Sequence, residues 1–216
     1  MMQLLLCAST PFEIQPTIEF IQNENRLNVN VLITGVGMMA TAYALTKRIL
    51  ANRPDFILQA GVAGCLDKNL PLTKIVLVEN ENIGDLGVEE NNNFKTLFDL
   101  NLLDQNSFPW QNGKLSNHIE SLRSSGLTVV DSVTVNEIST NPERINYYRE
   151  HLNASVESME GAALHYVALQ ENIRFLQIRS LSNFVGERDK TKWVMDTAIA
   201  NLNVELQRIL TKLSSK

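Results

Sequence analysis

Val29-Asn30-Val31-Leu32-Ile33-Thr34-Gly35-Val36-Gly37-Met38-Met39-Ala40 is the stretch on which the fold turns. Val29 to Thr34 is a short β-branched and apolar run, a G-x-G-x-x-A turn follows, and Met39 to Ala51 carries a helical pattern. Moving outward, further strand-like runs lie at Gln3 to Ala8, Phe56 to Ala60, Lys74 to Val78, Leu127 to Val130, Ala154 to Glu157 and Arg174 to Arg179. Helical patterns alternate with them at Pro142 to His151, Gly161 to Gln170 and Lys192 to Leu213. Alternation of this kind predicts an α/β fold. Glu79 to Asn117, asparagine-rich with Pro109 and Gly113, reads as a long, partly irregular excursion.

The glycine turn has a second reading, because strand, G-x-G-x-x-A and helix also make the local form of a dinucleotide-binding fingerprint. That fingerprint wants an acidic residue at the end of the next strand, to hold a ribose hydroxyl. The strand here ends Leu58-Gln59-Ala60, and Asp55 precedes it, at the wrong end. The glycines then serve to turn the chain tightly and bring helix against strand. No cofactor is expected.

The 216 residues, 44% of them apolar, suffice for one well-covered core, and no composition break divides them, so one domain over residues 1–216 is expected. With 19 basic against 24 acidic residues the net charge is -5, and no basic run could track a phosphate backbone, which argues against nucleic acid as a partner. No stretch approaches the roughly 18 uninterrupted apolar residues of a membrane helix. The opening Met1 to Ser9 lacks a basic leader and reads as a first buried strand rather than a signal segment. Cys7 and Cys65, each beside small or apolar residues, fit buried free thiols in a reducing compartment, so the cytoplasm is expected. His118, His151 and His165 are scattered and paired zinc-ligand spacing is absent; no metal is expected.

In a layered α/β sheet, ligands sit beyond the carboxyl ends of strands. Four segments stand there or nearby: Gly35-Val36-Gly37, Ala60-Gly61-Val62-Ala63-Gly64, Val156-Glu157-Ser158-Met159-Glu160-Gly161-Ala162-Ala163 and Arg179-Ser180-Leu181-Ser182-Asn183. Read without a family, Glu160 is either a ligand-binding carboxylate or a residue that complements a helix dipole, and Asn183 either a base ligand or a turn cap. Met159 is either a site wall or plain core.

The four segments, in this order over nearly the full length, resemble the nucleoside phosphorylase superfamily. The hydrolytic branch is most similar, meaning methylthioadenosine/S-adenosylhomocysteine nucleosidases and especially futalosine hydrolases, whose tail motif Ser182-Asn183-Phe184-Val185-Gly186-Glu187-Arg188-Asp189 with Trp193 resembles. The resemblance implies a three-layer αβα sandwich with a mixed central sheet. It also implies a homodimer or larger homo-oligomer and a small-molecule purine nucleoside as substrate.

It further implies a set of site residues. Glu13 corresponds to the glutamate that activates water; its local alternative is an ordinary solvent-facing helix residue. Glu160 corresponds to the ribose-binding glutamate, whose two oxygens can engage both hydroxyls of a cis-diol. Val62, Ala63 and Gly64 border the site, Met159 packs on the sugar, and Thr134, Val135 and Phe184 are placed around the base by approximate alignment. Asn183 stands where adenine-specific nucleosidases carry aspartate. Its amide N–H can donate to purine N7 or to a 6-oxo group, which favours hypoxanthine over adenine. Arg188, or Lys190 and Lys192 behind it, could pair the carboxylate of futalosine, or lie in a solvated charged loop.

Phosphorolytic relatives present arginine and serine at the second glycine turn, where this chain has Gln59-Ala60-Gly61-Val62-Ala63-Gly64, so water is the expected nucleophile. The expected activity is N-glycosidic hydrolysis of futalosine with release of hypoxanthine, a step of menaquinone biosynthesis. The alternatives are a methylthioadenosine-type or aminodeoxyfutalosine nucleosidase and a non-catalytic nucleoside-binding protein.

Overall fold

The computed structural model describes residues 2–24, 28–91, 93–118 and 125–214. Strand β1 (Leu4–Ala8) is buried along its length and sends its side chains alternately to two cores. Leu4, Leu6 and Ala8 join a core with Ile14, Leu202 and Leu206, contributed by helices α1 (Pro11–Asn23) and α5 (Met195–Ser214). Leu5 and Cys7 join Leu45, Ile49 and Leu164, contributed by α2 (Met38–Ala51) and α4 (Gly161–Gln170). Helices therefore cover both faces of the sheet, and the three-layer α/β arrangement follows from this alternation.

Among the described residues the sheet has eight strands: β1, β2 (Val29–Ile33), β3 (Phe56–Cys65), β4 (Ile75–Ile83), β7 (Leu115–Ser116), β8 (Thr128–Thr134), β9 (Val156–Ser158) and β10 (Arg174–Phe184). Its main path runs β10-β4-β8-β9-β3-β1-β2, and β7 adds to β4. It is mixed: β1, β2, β3 and β10 run parallel, whereas β4 is antiparallel to β10 and β9 to β3. Because β10 also pairs with β3, strands β3, β10, β4, β8 and β9 close into a ring, which curves the carboxyl ends of β3 and β10 around one mouth.

Several elements run past their sequence limits. β4 continues to Ile83 and β10 to Phe184, because buried polar residues such as Glu81, Asn82, Ser180 and Ser182 interrupt the apolar pattern without interrupting the ladder. Helix α1 is absent from the sequence-based pattern, since Pro16 and two glutamines break its periodicity; its start is marked by Thr10-x-x-Glu13 with proline at the first helical position. The excursion after β4 is irregular as expected, apart from the hairpin β5 (Gly87–Glu90) and β6 (Asn93–Thr96) and the short β7. Helix α3 (Pro142–Glu150) lies as expected, capped by the Asn141 side chain. Among the described residues no helix is long and apolar enough to cross a membrane.

Candidate active site

At the carboxyl ends of β3 and β10, beside the turn that joins β9 to α4, lies a cleft of about 210 Å³. Glu13, on the first turn of α1, reaches it from one side. Far from being a solvent-facing helix residue, it is 6% exposed. One carboxylate oxygen accepts the Val62 N–H at 3.0 Å, and the other accepts the Thr10 N–H and hydroxyl at 3.1 Å and the Ser9 hydroxyl. Four donors from two elements fix this carboxylate at the cleft wall.

Glu160 ends β9's turn into α4, yet its side chain does not cap its own helix. Its Oε1 accepts the Gly37 N–H at 3.1 Å, and its Oε2 lies 3.4 Å from Arg179 Nη1. Gly37 is the N-cap of α2 with φ of 94°, a conformation that favours glycine. The glycine turn thus delivers the positive end of a helix to a buried carboxylate, which gives the G-x-G pattern a role with no dinucleotide in it.

Arg179 is the residue sequence reasoning passed over, although it opens one of the four segments. Fully buried on β10, it also donates to Gln59 Oε1 at 3.1 Å and to the Val62 carbonyl at 3.4 Å. Gly61 makes room for this: a Cβ there would meet Arg179 Nη1 at 2.6 Å and Glu13 Oε1 at 2.8 Å. The available signal was an arginine inside an apolar strand, which needs a buried partner.

Asn183 also lines the cleft, beside Gly64 and just past a register shift in β10. Its Oδ1 accepts the Ser182 hydroxyl at 2.9 Å and its amide donates one N–H to the Phe184 carbonyl at 3.0 Å, which leaves the second N–H for a ligand. The chain from Val185 to Met195 then folds across the mouth, where Arg188 stands over the Trp193 ring at 5.6 Å and the Trp193 indole N–H donates to the Glu187 carbonyl at 3.1 Å.

The phosphorylase superfamily model matches residues 4–213. The chain belongs to this superfamily. A futalosine hydrolase of Thermus thermophilus is 33% identical over 184 residues, which cover 84% of this chain and 80% of that protein. Among solved structures, the 5'-methylthioadenosine/S-adenosylhomocysteine nucleosidase of Campylobacter jejuni superposes with a TM-score of 0.80 over 100% of both chains at 15% identity. Futalosine hydrolase of Helicobacter pylori gives 0.79 over 97% of both at 17% identity.

Within this phosphorylase-superfamily cleft the structure brings together Glu13, Val62, Ala63, Gly64, Met159, Glu160, Asn183 and Arg188. Three expected wall residues lie elsewhere. Strand alternation turns Phe184 away from Asn183 and packs it on the core around Ala63, Cys65 and Val76. Val135 is buried with Val133 and Tyr148. Thr134 is a brace behind the site: its hydroxyl donates to Glu81 Oε2 at 2.9 Å and accepts the Ala162 N–H at 2.8 Å, tying the first turn of α4 to β4. Lys192 is paired with Glu187 at 2.7 Å, and neither it nor Lys190 lines the cleft.

The charge balance of the cleft is acidic. Glu13, Glu157, Glu160 and Glu187 line it, against Arg188 as the one basic side chain among the described lining residues. Both cysteines are free and buried, and burial pushes the Cys7 thiol up to about 12, which keeps it a neutral core residue. Among the described residues no group of His, Cys, Asp and Glu could hold a metal ion.

Proposed function

We propose that this chain hydrolyses the N-glycosidic bond of futalosine, releasing hypoxanthine in menaquinone biosynthesis. The observation that carries the reading is the pair of buried carboxylates, Glu13 and Glu160, that line one cleft whose lining is otherwise poor in cations. Cleavage passes through an oxocarbenium-like sugar, which such carboxylates stabilise. A phosphate nucleophile would face four glutamates with little compensating charge, at a cost of several kcal/mol for each poorly paired charge. Water carries no such penalty.

In this mechanism Glu160 accepts hydrogen bonds from the ribose hydroxyls and Met159 packs on the sugar. Glu13 takes the proton of the attacking water as its oxygen bonds to the anomeric carbon. The C–N bond breaks with its electron pair moving into the base, where the Asn183 amide donates to the developing charge and solvent supplies the proton. Arg188 pairs the substrate's distal carboxylate. No cofactor takes part.

The reading treats residues 1–216 as one phosphorylase-like domain, supported by a sheet that takes strands from Leu4 through Phe184. It places the protein in the cytoplasm, in keeping with its free buried thiols, with no nucleic acid or membrane partner. It also makes the chain a homo-oligomer. The outer face of α2 supports this, with Met39 86% exposed and Tyr43 and Leu50 likewise exposed at helical spacing.

The test is chromatography of products from futalosine, aminodeoxyfutalosine, inosine and methylthioadenosine, each with and without phosphate. Phosphate-independent hypoxanthine release from futalosine is the expected result. Release of adenine alone, or a phosphate requirement, overturns the reading.

A further inference from the structure

The turn of α1 that carries Glu13 lies just before the weak point of its helix. Pro16 stands inside α1. A proline there has no N–H for the Phe12 carbonyl and its ring crowds that carbonyl, so the ladder is interrupted between the first turn and the rest of the helix. The side chain of Glu13 is fixed by Ser9, Thr10 and Val62. Its main chain is fixed from α5.

Asn203, 3% exposed in the middle of α5, directs its amide at this turn. Its Nδ2 donates to the Glu13 carbonyl at 2.9 Å and to the Ile199 carbonyl at 2.8 Å. Its Oδ1 accepts the Thr17 N–H at 3.0 Å and the Thr17 hydroxyl at 2.6 Å. The Glu13 carbonyl and the Thr17 N–H are the i and i+4 groups that an uninterrupted α-helix joins to each other, and Pro16 lies between them. The amide bridges the two and uses both donors and both acceptor sites in this cluster. One turn further along α5, Gln207 Nε2 donates to the Pro16 carbonyl at 3.4 Å. Neither helix propensity nor core packing favours a buried asparagine between Leu202 and Leu206, both fully buried in the apolar core. Helix α5 is also referenced to the cleft, since it begins at the lining residue Met195.

We infer that Asn203 is a positioning residue for Glu13: its amide splices α1 across Pro16 and so sets where the Glu13 carboxylate stands in the cleft. The inference deepens the nucleosidase reading and rests on it, because that reading makes Glu13 the group that takes the proton of the attacking water. Asn203 is not among the residues that line the cleft, and it acts through α1. Without the splice, the first turn of α1 shifts against Val62, whose N–H holds one Glu13 oxygen. Displacing a reacting group by about 1 Å costs on the order of a hundredfold in rate. Sugar and base are held by other residues, so the loss falls on kcat rather than KM.

The test is Asn203→Ser, whose short hydroxyl is satisfied by the Ile199 carbonyl of its own helix and leaves the Glu13 carbonyl and Thr17 N–H unbridged. Amide hydrogen exchange, followed by NMR without substrate, compares Thr17 with Leu45 in α2. The ratio of the two rates is expected to rise at least about tenfold, because the loosening is local. Steady-state kinetics in the product assay above is expected to give a kcat per folded molecule at least about tenfold lower, with KM little changed. Leu206→Ala, a cavity in the same helix, controls for lost stability and is expected to keep the wild-type kcat per folded molecule. An unchanged exchange ratio, an unchanged kcat, or the same fall in Leu206→Ala overturns the inference. So does a Thr17 amide that exchanges freely in the wild-type protein, a result that needs no variant to fold. Failure of the nucleosidase reading is distinct: wild-type protein then turns over none of the four nucleosides, while the exchange ratio still decides whether Asn203 splices α1.

Discussion

Arg179 Nη1 and Glu160 Oε2 lie 3.4 Å apart, in a pair of side chains only 2% and 8% exposed. Such a pair is dangerous to break and contributes little net stability when intact, because each charge has lost its water. Arg179→Met should therefore destabilise the protein by about 3–5 kcal/mol in urea denaturation, since it leaves Glu160 buried without a counter-charge. Glu160→Gln strands the Arg179 charge in the same way, so a stability loss of that order is expected there too, and in addition kcat/KM should fall by about a hundredfold or more, as two charged hydrogen bonds to the sugar become neutral ones. An unaltered kcat/KM of the folded variant would argue that Glu160 serves the fold alone.

Gly61 tests the same assembly through space. Alanine there would meet Arg179 Nη1 at 2.6 Å and Glu13 Oε1 at 2.8 Å, so both groups must shift. Displacement of reacting groups by about 1 Å costs on the order of a hundredfold in rate. Gly61→Ala is expected to show that loss in kcat while circular dichroism keeps its native shape.

Glu81 on β4 and His165 on α4, both fully buried, set opposing pH slopes of stability. Burial raises the Glu81 carboxyl from 4.5 to about 7, against hydrogen bonds from Gln177 and Thr134 that lower it. The folded state then holds a proton that the unfolded chain releases, so this contribution is present below 4.5 and is lost as pH rises through about 7. Burial lowers His165 from 6.5 to about 4, so its contribution is present above 6.5 and is lost as pH falls through about 4. Between 4.5 and 6.5 the two oppose each other. Relative to wild type, Glu81→Gln should gain stability on raising the pH through this window, and His165→Gln should lose it, in denaturant titrations at each pH.

Asn183 governs the leaving group. Asn183→Asp supplies a side chain that, when protonated, donates to N7 and accepts from a 6-amino group. The futalosine-to-aminodeoxyfutalosine ratio of kcat/KM should fall by roughly tenfold or more. An unaltered ratio removes Asn183 from base recognition.

Arg188 is exposed at the cleft mouth and stacked near Trp193. Exposed charge pairs are weak, up to about 1 kcal/mol, so Arg188→Ala should raise KM for futalosine by roughly fivefold and leave inosine, which has no carboxylate, unaffected. A parallel rise for both substrates would show that the arginine supports the loop instead.

The α/β class, most strands and the helices α2 to α5 were legible in the sequence, because period and turn chemistry are local properties; the two glutamates of the site were marked only by the family resemblance, since locally each has an ordinary helix-terminal reading. Residues carried at the ends of glycine-marked strands, Val62 to Gly64 and Asn183, fell where the pattern put them. What escaped was everything that depends on which strand lies beside which. Thr134, Val135 and Phe184 were one alternation or one layer away from the cleft, and no local signal tells a brace from a wall. Arg179 stood in a quoted motif, yet its partners Gln59, Val62 and Glu160 come from one other strand, β3, and from the turn before α4. Closure of β10 onto β3 was the tertiary decision that mattered most. It set Asn183 on β10 directly beside Gly64 on β3, from positions far apart in the chain, and so brought the amide to the strand end that carries Val62 to Gly64.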